Sequence, residues 1–514
     1  MKDKNKNKGQ YKKIIAFVLI FIATIIITLI SYKTKFFGEV SIDELSFYIS
    51  NGLTGANTGT FFSSILKNII PFVIILCILS IPIINLYKNK VLIDINIKIK
   101  GKNHNIQINP TKIEQKYLII YALIVFFISL ACGLNSLNTY SYVISKSTSS
   151  NLFEQNYVNP KDAKVTFPEK KRNLIYIYLE STENAILSSK NGGGLKDSLS
   201  PELENIALNN ISFSNTSLLG GALPAYGTTW TVGGMVAQSA GVPLISPGSY
   251  GDNDFNKFKK FLPGAYSLGE ILEKEGYNQE IVLGSDASFG GRDKYFTQHG
   301  NYKIFDYKTA VEQSKIPKDY HVWWGYEDNK LIEYTKQELL KMSKTSQPFN
   351  LQLLTADTHF VDGYIDPTCA KDHDNQYENV FACASKRIST FIDWAKQQDF
   401  YDNTTIIIHG DHLGMQTDFY DARLSDGYQR TIYNAIINSK KEATSEKGRQ
   451  FSSFDMYPTT LSSIGVEIEG NKLGLGVNLF SNEQTLVEKY GLEYLNTELS
   501  KKSNYYNNHI LIGK

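Results

Sequence analysis

Residues 172–183 read RNLIYIYLESTE, and this stretch decides the fold. Six hydrophobic side chains follow one another at 174–179 with no glycine or proline among them. So short and continuous a run is the pattern of a strand buried on both faces, as in a parallel sheet covered by helices. It stops abruptly at Glu180, Ser181, Thr182 and Glu183. Open α/β sheets hold their ligands beyond the carboxyl ends of the strands, so Glu180 is a candidate site residue.

The same pattern recurs downstream. Residues 280–283 lead into GSDASFGGRDKYFTQHG (284–300), which sets Asp286 and Arg292 among glycines. Residues 349–355 end in Ala356, Asp357, Thr358 and His359, and residues 404–408 end in HGDHLG (409–414), with His409, Asp411 and His412. Helical patterns lie between, at 201–208, 266–275, 328–343 and 379–398. Residues 211–217 and 432–437 read as further strands, 454–461 as a helix and 472–480 as a glycine-rich return. This predicts an α/β fold with a doubly wound, mostly parallel sheet whose polar residues gather on one edge. A single Asp or His at a strand end is an ordinary turn residue; four such ends together imply a site. Two oxygen ligands and an imidazole suit Mn2+ or Zn2+ rather than copper or iron–sulfur chemistry.

Residues 220–244, GGALPAYGTTWTVGGMVAQSAGVPL, predict a glycine-rich turn and then a helix over 230–239. Thr228, Thr229 and Thr231 cluster at its start. Hydroxyls there commonly cap the helix, and a cap is the simpler reading of the residues alone. The same place also stabilises a phosphate or an oxyanion. Arg292 has a similar pair of readings, an anion clamp or a surface arginine paired with Asp293.

Ahead of residue 172 the chain reads as membrane-bound. Residues 1–13 carry six lysines and one aspartate, and apolar runs follow at 14–31, 61–87 and 117–135. Each is long enough for a membrane helix. The first exceeds a signal-peptide core and lacks a small-residue cleavage site, so it is expected to stay uncleaved. Residues 32–60 hold two lysines and three acids, whereas 88–116 hold seven lysines and two acids. The positive-inside rule then puts the basic tail and the 88–116 loop in the cytoplasm, and everything beyond about residue 136 outside it. Residues 91–109 alternate around Gly101 and read as a small hairpin or a solvated lysine-rich loop. The expected organisation is a membrane region at 1–136, a linker at 137–170, an extracytoplasmic α/β domain at 171–490 and a tail at 491–514 ending loosely. With 53 basic and 51 acidic side chains, the net charge of +2 gives no reason to expect nucleic acid. Of four cysteines, only Cys369 and Cys383 fall beyond the membrane region, on the oxidising side, and are expected to pair.

Residues 173–514 resemble the sulfatase-like phosphoglycerol transferases of the alkaline phosphatase superfamily. The likeness is to the enzymes of osmoregulated periplasmic glucans, and more distantly to the lipoteichoic acid synthases. It rests on NLIYIYLEST, GTTWTVGGMVAQSAGVPL, ADTHFVDGY, HGDHLG and LGLGVNLF. The resemblance implies one divalent metal, Mn2+ before Zn2+ or Mg2+, held by Glu180, Thr229, Asp411 and His412. Thr229 would be the nucleophile, with Thr228 its nearest competitor and Thr231 a third. His359 would contact the substrate phosphate and act in proton transfer, with Arg292 and Asp357 as further substrate-binding candidates. Lipoteichoic acid synthases carry a tryptophan two residues before this arginine, where this chain has Gly290; the glycerol pocket is expected to differ.

The implied reaction moves sn-glycerol 1-phosphate from phosphatidylglycerol to an extracytoplasmic glycan or glycerol-containing acceptor and releases diacylglycerol. The implied location is the inner (cytoplasmic) membrane, multi-pass, with the catalytic domain on the periplasmic or extracytoplasmic side. A phosphoethanolamine transferase would share the fold but carry several disulfides. A sulfatase would show C/S-x-P/A-x-R, which is absent from 225–235. A non-catalytic envelope scaffold is the alternative of a different class.

Overall fold

The computed structural model describes residues 2–36, 40–51, 58–84, 93–99, 102–108, 117–245 and 260–514. They form two units, Met1–Glu39 with Thr58–Tyr140, and Val40–Asn57 with Ser141–Lys514. In the first unit, the apolar runs Gln10–Lys35, Leu66–Ile83 and Leu118–Ser136 are helices long and apolar enough to cross a membrane. Ala16 and Ala122 are fully buried beside Ile20 and Leu118, small residues that let helices approach closely. Leu29, Ile70 and Phe127 stay exposed, as lipid-facing side chains do. Ile93–Ile99 and Lys102–Ile108 pair as an antiparallel hairpin with Ile99 opposite Lys102; Gly101 lies outside the described residues, as do residues 85–87, the expected end of the second span.

The second unit is built on a six-stranded sheet. Its strands are β1 (Asn173–Leu179), β2 (Asn278–Leu283), β3 (Lys303–Phe305), β4 (Phe349–Leu354), β5 (Thr404–Gly410) and β6 (Asn434–Ile437). In space they run β3-β2-β4-β1-β5-β6. All pairs are parallel except β6, which runs antiparallel to β5. The stretch that opens with RNLIYIYL is therefore the inner strand flanked by β4 and β5. Tyr178 lies level with Leu354 on one side and His409 on the other, so three carboxyl ends finish side by side.

Strand alternation divides β1 between two cores. Leu174, Tyr176 and Tyr178 enter one, Ile175, Ile177 and Leu179 the other. The first core is covered by the Thr231–Ala240 and Met456–Ser463 helices, through Met235, Val236, Met456 and Leu461. The second is covered by Asp328–Met342 and Gln376–Ala395, through Leu331, Leu339, Ile388 and Phe391. Helices on both faces explain the unbroken apolar run. The two tyrosines are tolerated because their hydroxyls donate to Gln238 Oε1 at 2.9 Å and Gln352 Oε1 at 3.2 Å. An unpartnered buried hydroxyl would cost about 1–3 kcal/mol.

Three expectations change. Residues 211–217 make only an isolated bridge, Ile211 with Ile436. Phe213 N–H donates instead to Asn434 Oδ1 at 2.9 Å and Ser214 N–H to Glu446 O at 2.8 Å; irregular partners of this kind replace a ladder. The linker is partly folded: Thr139–Ser147 and Leu152–Asn156 are helical, and Leu152 and Phe153 are buried. The chain end is not loose either. Tyr506, Ile510 and Leu511 are buried, and the Tyr506 hydroxyl donates to Pro243 O at 2.9 Å. Cys369 and Cys383 form a disulfide.

Candidate metal centre and active site

Glu180 follows β1 directly, and Asp411 and His412 follow β5. All three are at least 97% buried, and one ligand atom from each lies within 4.8 Å of the others. His412 Nε2 is 3.5 Å from Glu180 Oε1 and 3.4 Å from Asp411 Oδ2. The loops hold these atoms in place. Asp411 Oδ1 accepts the N–H of Ser181 and of His412, each at 2.8 Å, which turns Oδ2 into the site. His412 Nδ1 faces Leu413 O at 2.7 Å; a proton there leaves the Nε2 lone pair for a ligand. Thr358 Oγ1 donates to Glu180 O at 2.6 Å, and Glu180 N–H donates to Thr355 Oγ1 at 2.9 Å.

This donor set fits a divalent cation. Asp411 Oδ2 is buried with no hydrogen-bond partner. Burial first, and then the charge of Glu180, pushes the Asp411 carboxyl well above its ordinary value. Burial opposes the charge on Glu180 too, but His359, His412 and the Ser181 hydroxyl outweigh it and hold that carboxyl below the usual range. Two adjacent buried carboxylates are costly until a cation lies between them.

The hydroxyl that joins them belongs to Thr231. Its Oγ1 is 3.3 Å from Glu180 Oε2 and 3.4 Å from His412 Nε2. Thr231 opens a helix whose N-cap is Trp230. Gly234, one turn further on, allows the close approach: a Cβ there would lie 2.0 Å from Asp411 O. Gln238 Nε2 then donates to Gly410 O at 3.1 Å, one turn further along the helix. Thr228 is a fully buried turn residue whose hydroxyl donates to Ala225 O at 2.9 Å. Thr229, between that turn and Trp230, is not among the groups hydrogen-bonded to Glu180 or His412 in the described residues.

His359 lies in the same charge cluster. Its Nδ1 faces Phe360 O at 2.7 Å, and its ring packs 4.6 Å from that of Trp324. Burial lowers its basicity; Glu180 opposes this, while His412 and Arg292 add to it. Arg292 is buried and bonds inward, to Phe289 O at 3.0 Å, Ser285 Oγ at 3.1 Å and Asp286 O at 2.8 Å. It is therefore not the surface arginine of the simpler reading. Both Asp357 oxygens are engaged: Oδ2 accepts from Arg387 at 2.7 Å and Oδ1 from Asp328 N–H at 3.2 Å. Asp286 is paired with Lys308 at 2.9 Å. His409 is fully buried, and burial lowers it to about 4.

Two contributors had escaped the sequence reading. Glu183 accepts from Gly414 N–H at 2.9 Å and pairs with Arg430, locking the HGDHLG turn to the end of β1. The Ile42–Asn51 helix also belongs to this unit. Its signal was present as Ser41 three residues before Glu44, and Glu44 N–H donates to Ser41 Oγ at 3.1 Å. Burial raises Glu44 to about 8, against the influence of His412.

A family model for sulfatases matches residues 172–466. The chain belongs to the sulfatase family. Within it, the chain is 30% identical over 332 residues to phosphoglycerol transferase I of Escherichia fergusonii and to that of Escherichia coli, covering 63% of this chain and 41% of each relative. The chain thus spans about two fifths of the length of these curated relatives. Among solved structures, it is similar to the lipoteichoic acid synthase LtaP of Listeria monocytogenes, at 20% identity, 64% and 81% coverage of this chain and that one, and a TM-score of 0.49. It is also similar to the phosphoglycerol transferase GacH of Streptococcus pyogenes, solved with sn-glycerol-1-phosphate, at 14% identity, 71% and 90% coverage, and a TM-score of 0.41.

Proposed function

We propose that the protein is a membrane-anchored phosphoglycerol transferase, moving sn-glycerol 1-phosphate from phosphatidylglycerol to an extracytoplasmic glycan. The observation that carries this is the Thr231 hydroxyl set against Glu180 and His412, with the unpartnered Asp411 Oδ2 beside them. The sulfatase family membership and the relatives named phosphoglycerol transferase I support the class of reaction. The three apolar helices suit a donor that resides in a bilayer. The lysine bias supports an extracytoplasmic catalytic domain in the cytoplasmic membrane.

Glu180, Asp411 and His412 would hold one divalent ion, Mn2+ by preference, and Thr231 takes the nucleophile's role expected of Thr229. Such an ion makes a neighbouring hydroxyl proton easier to lose and offsets phosphoryl charge. Thr231 Oγ1 gives its proton to Glu180 Oε2, which already accepts its hydrogen bond, and attacks phosphorus. The bond from phosphorus to the diacylglycerol oxygen breaks, leaving glycerophosphate on Thr231. His359, anchored through Nδ1, presents Nε2 and, protonated, donates to the departing diacylglycerol oxygen; now neutral, it takes the proton of the acceptor hydroxyl as that oxygen attacks phosphorus, the bond from phosphorus to Thr231 Oγ1 breaks, and Thr231 recovers its proton from Glu180. Arg292 supplies positive charge at the same edge.

The test uses the purified full-length protein in vesicles with head-group-labelled phosphatidylglycerol, Mn2+ and envelope glycans. Label should pass to a glycan as diacylglycerol appears, and chelation should stop both. Absence of diacylglycerol release with metal bound would reject the reading. Release only from labelled phosphatidylethanolamine would make it a phosphoethanolamine transferase.

A further inference from the structure

The catalytic unit contains a segment from far outside it in sequence. Residues 40–51 lie between the first two apolar helices in sequence, yet they belong with the unit that begins at Ser141. The Ile42–Asn51 helix starts with two buried acids, Asp43 and Glu44. Asp43 is fully buried and is met by donors from two other segments. Lys146 Nζ stands 2.9 Å from Oδ2, and the Tyr142 hydroxyl donates to Oδ1 at 3.4 Å. The Tyr226 hydroxyl donates to Oδ2. A buried carboxylate is tolerated only when paired in this way, so its donors are held firmly.

Tyr226 belongs to the turn that delivers Thr231. Its own N–H donates to Asn496 Oδ1 at 2.8 Å, and Thr228 N–H donates to Ala225 O at 3.2 Å. At the other end of the turn, Trp230 packs on Phe47 of the same Ile42–Asn51 helix, with ring centroids 6.1 Å apart. Both rings are buried, at 0% and 1% exposure. One helix therefore grips the turn twice, through Asp43 at Tyr226 and through Phe47 at Trp230, and Thr231 follows immediately.

We propose that Asp43 is a positioning residue for the transfer reaction, fixing the 226–230 turn through the Tyr226 hydroxyl so that Thr231 stays aligned with Glu180 and His412. This rests on the phosphoglycerol transferase reading for its kinetic consequence, and on the turn alone for its structural one. Misplacing a nucleophile by about 1 Å can cost on the order of a hundredfold in rate. Asp43 touches no ligand atom of the metal cluster, so its loss should leave metal binding intact.

The test compares full-length wild type, Asp43→Asn, Tyr226→Phe and the double variant. Amide hydrogen exchange over residues 225–231 should rise about tenfold or more in each single variant, with no further rise in the double. In vesicles, kcat for head-group release should fall about ten- to a hundredfold, with KM for the lipid and bound Mn2+ unchanged. Unchanged exchange in Tyr226→Phe, which removes a single hydroxyl, overturns the proposal whatever the enzyme's substrate. Raised exchange with wild-type kcat overturns its kinetic half. A wild type inactive on phosphatidylglycerol rejects the functional reading and leaves the exchange result to decide the positioning role.

Discussion

Thr231 Oγ1 lies 3.3 Å from Glu180 Oε2, although 51 residues separate them in sequence. One comes from the start of a helix and the other from the end of the strand flanked by β4 and β5. A hydroxyl becomes a useful nucleophile only where groups that favour its alkoxide surround it, and of the three clustered threonines Thr231 is the one in contact with both Glu180 and His412.

Thr231→Ala should therefore abolish transfer, by roughly a thousandfold or more, the scale on which removal of a covalent nucleophile acts. Glu180, Asp411 and His412 remain, so the variant should still bind metal. Thr229→Ala should cost less than about tenfold, and Thr228→Ala should lower stability by about 1 kcal/mol through its lost turn bond. Head-group release and metal content, measured on each purified variant, decide the matter. Full loss in Thr229→Ala with normal activity in Thr231→Ala would return the role to Thr229.

The sheet was legible because burial on both faces leaves a plain mark, an apolar run such as 174–179 ending in a charge. The carboxylate and imidazole cluster was legible for the same reason: Glu180, Asp411 and His412 stop such runs. The register of the clustered threonines was not. Which of three threonines reaches the cluster depends on how closely a helix approaches Asp411, a tertiary distance set by Gly234. The ion pair of Asp357 was not legible, because its partner, Arg387, lies 30 residues away on a helix. The Ile42–Asn51 helix was passed over because its neighbours in sequence are helices apolar enough to cross a membrane, while its neighbours in space are Tyr226 and Trp230.

Gly234→Ala tests that approach directly. The new Cβ would meet Asp411 O at 2.0 Å and Asp411 C at 2.9 Å, and both are backbone atoms. The helix has to move away, costing about 1–3 kcal/mol as an overpacked contact does. Thr231 moves with it, so transfer should fall about a hundredfold. A variant with wild-type kcat would show that the helix and the HGDHLG turn need not touch.

Stability should depend on pH through Glu280, away from the catalytic edge. Burial raises its carboxyl to about 7; Lys303 opposes the shift, while Glu338 adds to it. Lys303 Nζ is 3.1 Å from both carboxylates. Because the folded value exceeds the unfolded one, the folded state binds the proton more tightly, and stability falls as pH rises from about 4.5 to 7. Glu280→Gln removes that slope. The variant should match wild type near pH 4.5 and exceed it by up to about 3 kcal/mol at pH 8. Thermal melts of full-length protein at the two pH values provide the comparison; a gap that narrows with rising pH would contradict the sign.

The disulfide gives the last prediction, because it bears on the loop that carries His359. Cys369 and Cys383 are 14 positions apart. Cys383 lies in the Gln376–Ala395 helix one turn before Arg387, which bonds Asp357 at 2.7 Å and Asp366 at 3.1 Å. Cys369 N–H donates to Asp366 O at 2.9 Å, so the bridge and the arginine fasten one loop to one helix at adjacent points. Closing a loop of this size is worth about 3 kcal/mol in the unfolded-state model. Replacing both cysteines by serine should lower stability by about that amount and transfer by less than about tenfold, since Arg387 still holds Asp357. Arg387→Ala should do more harm, about 3–5 kcal/mol, because it strands a buried carboxylate two residues before His359. Melting with and without reductant should separate wild type from the serine variant, and activity should rank wild type, serine variant, Arg387→Ala. If reduction alone silences the enzyme as fully as Arg387→Ala does, the bridge rather than the ion pair sets the position of His359.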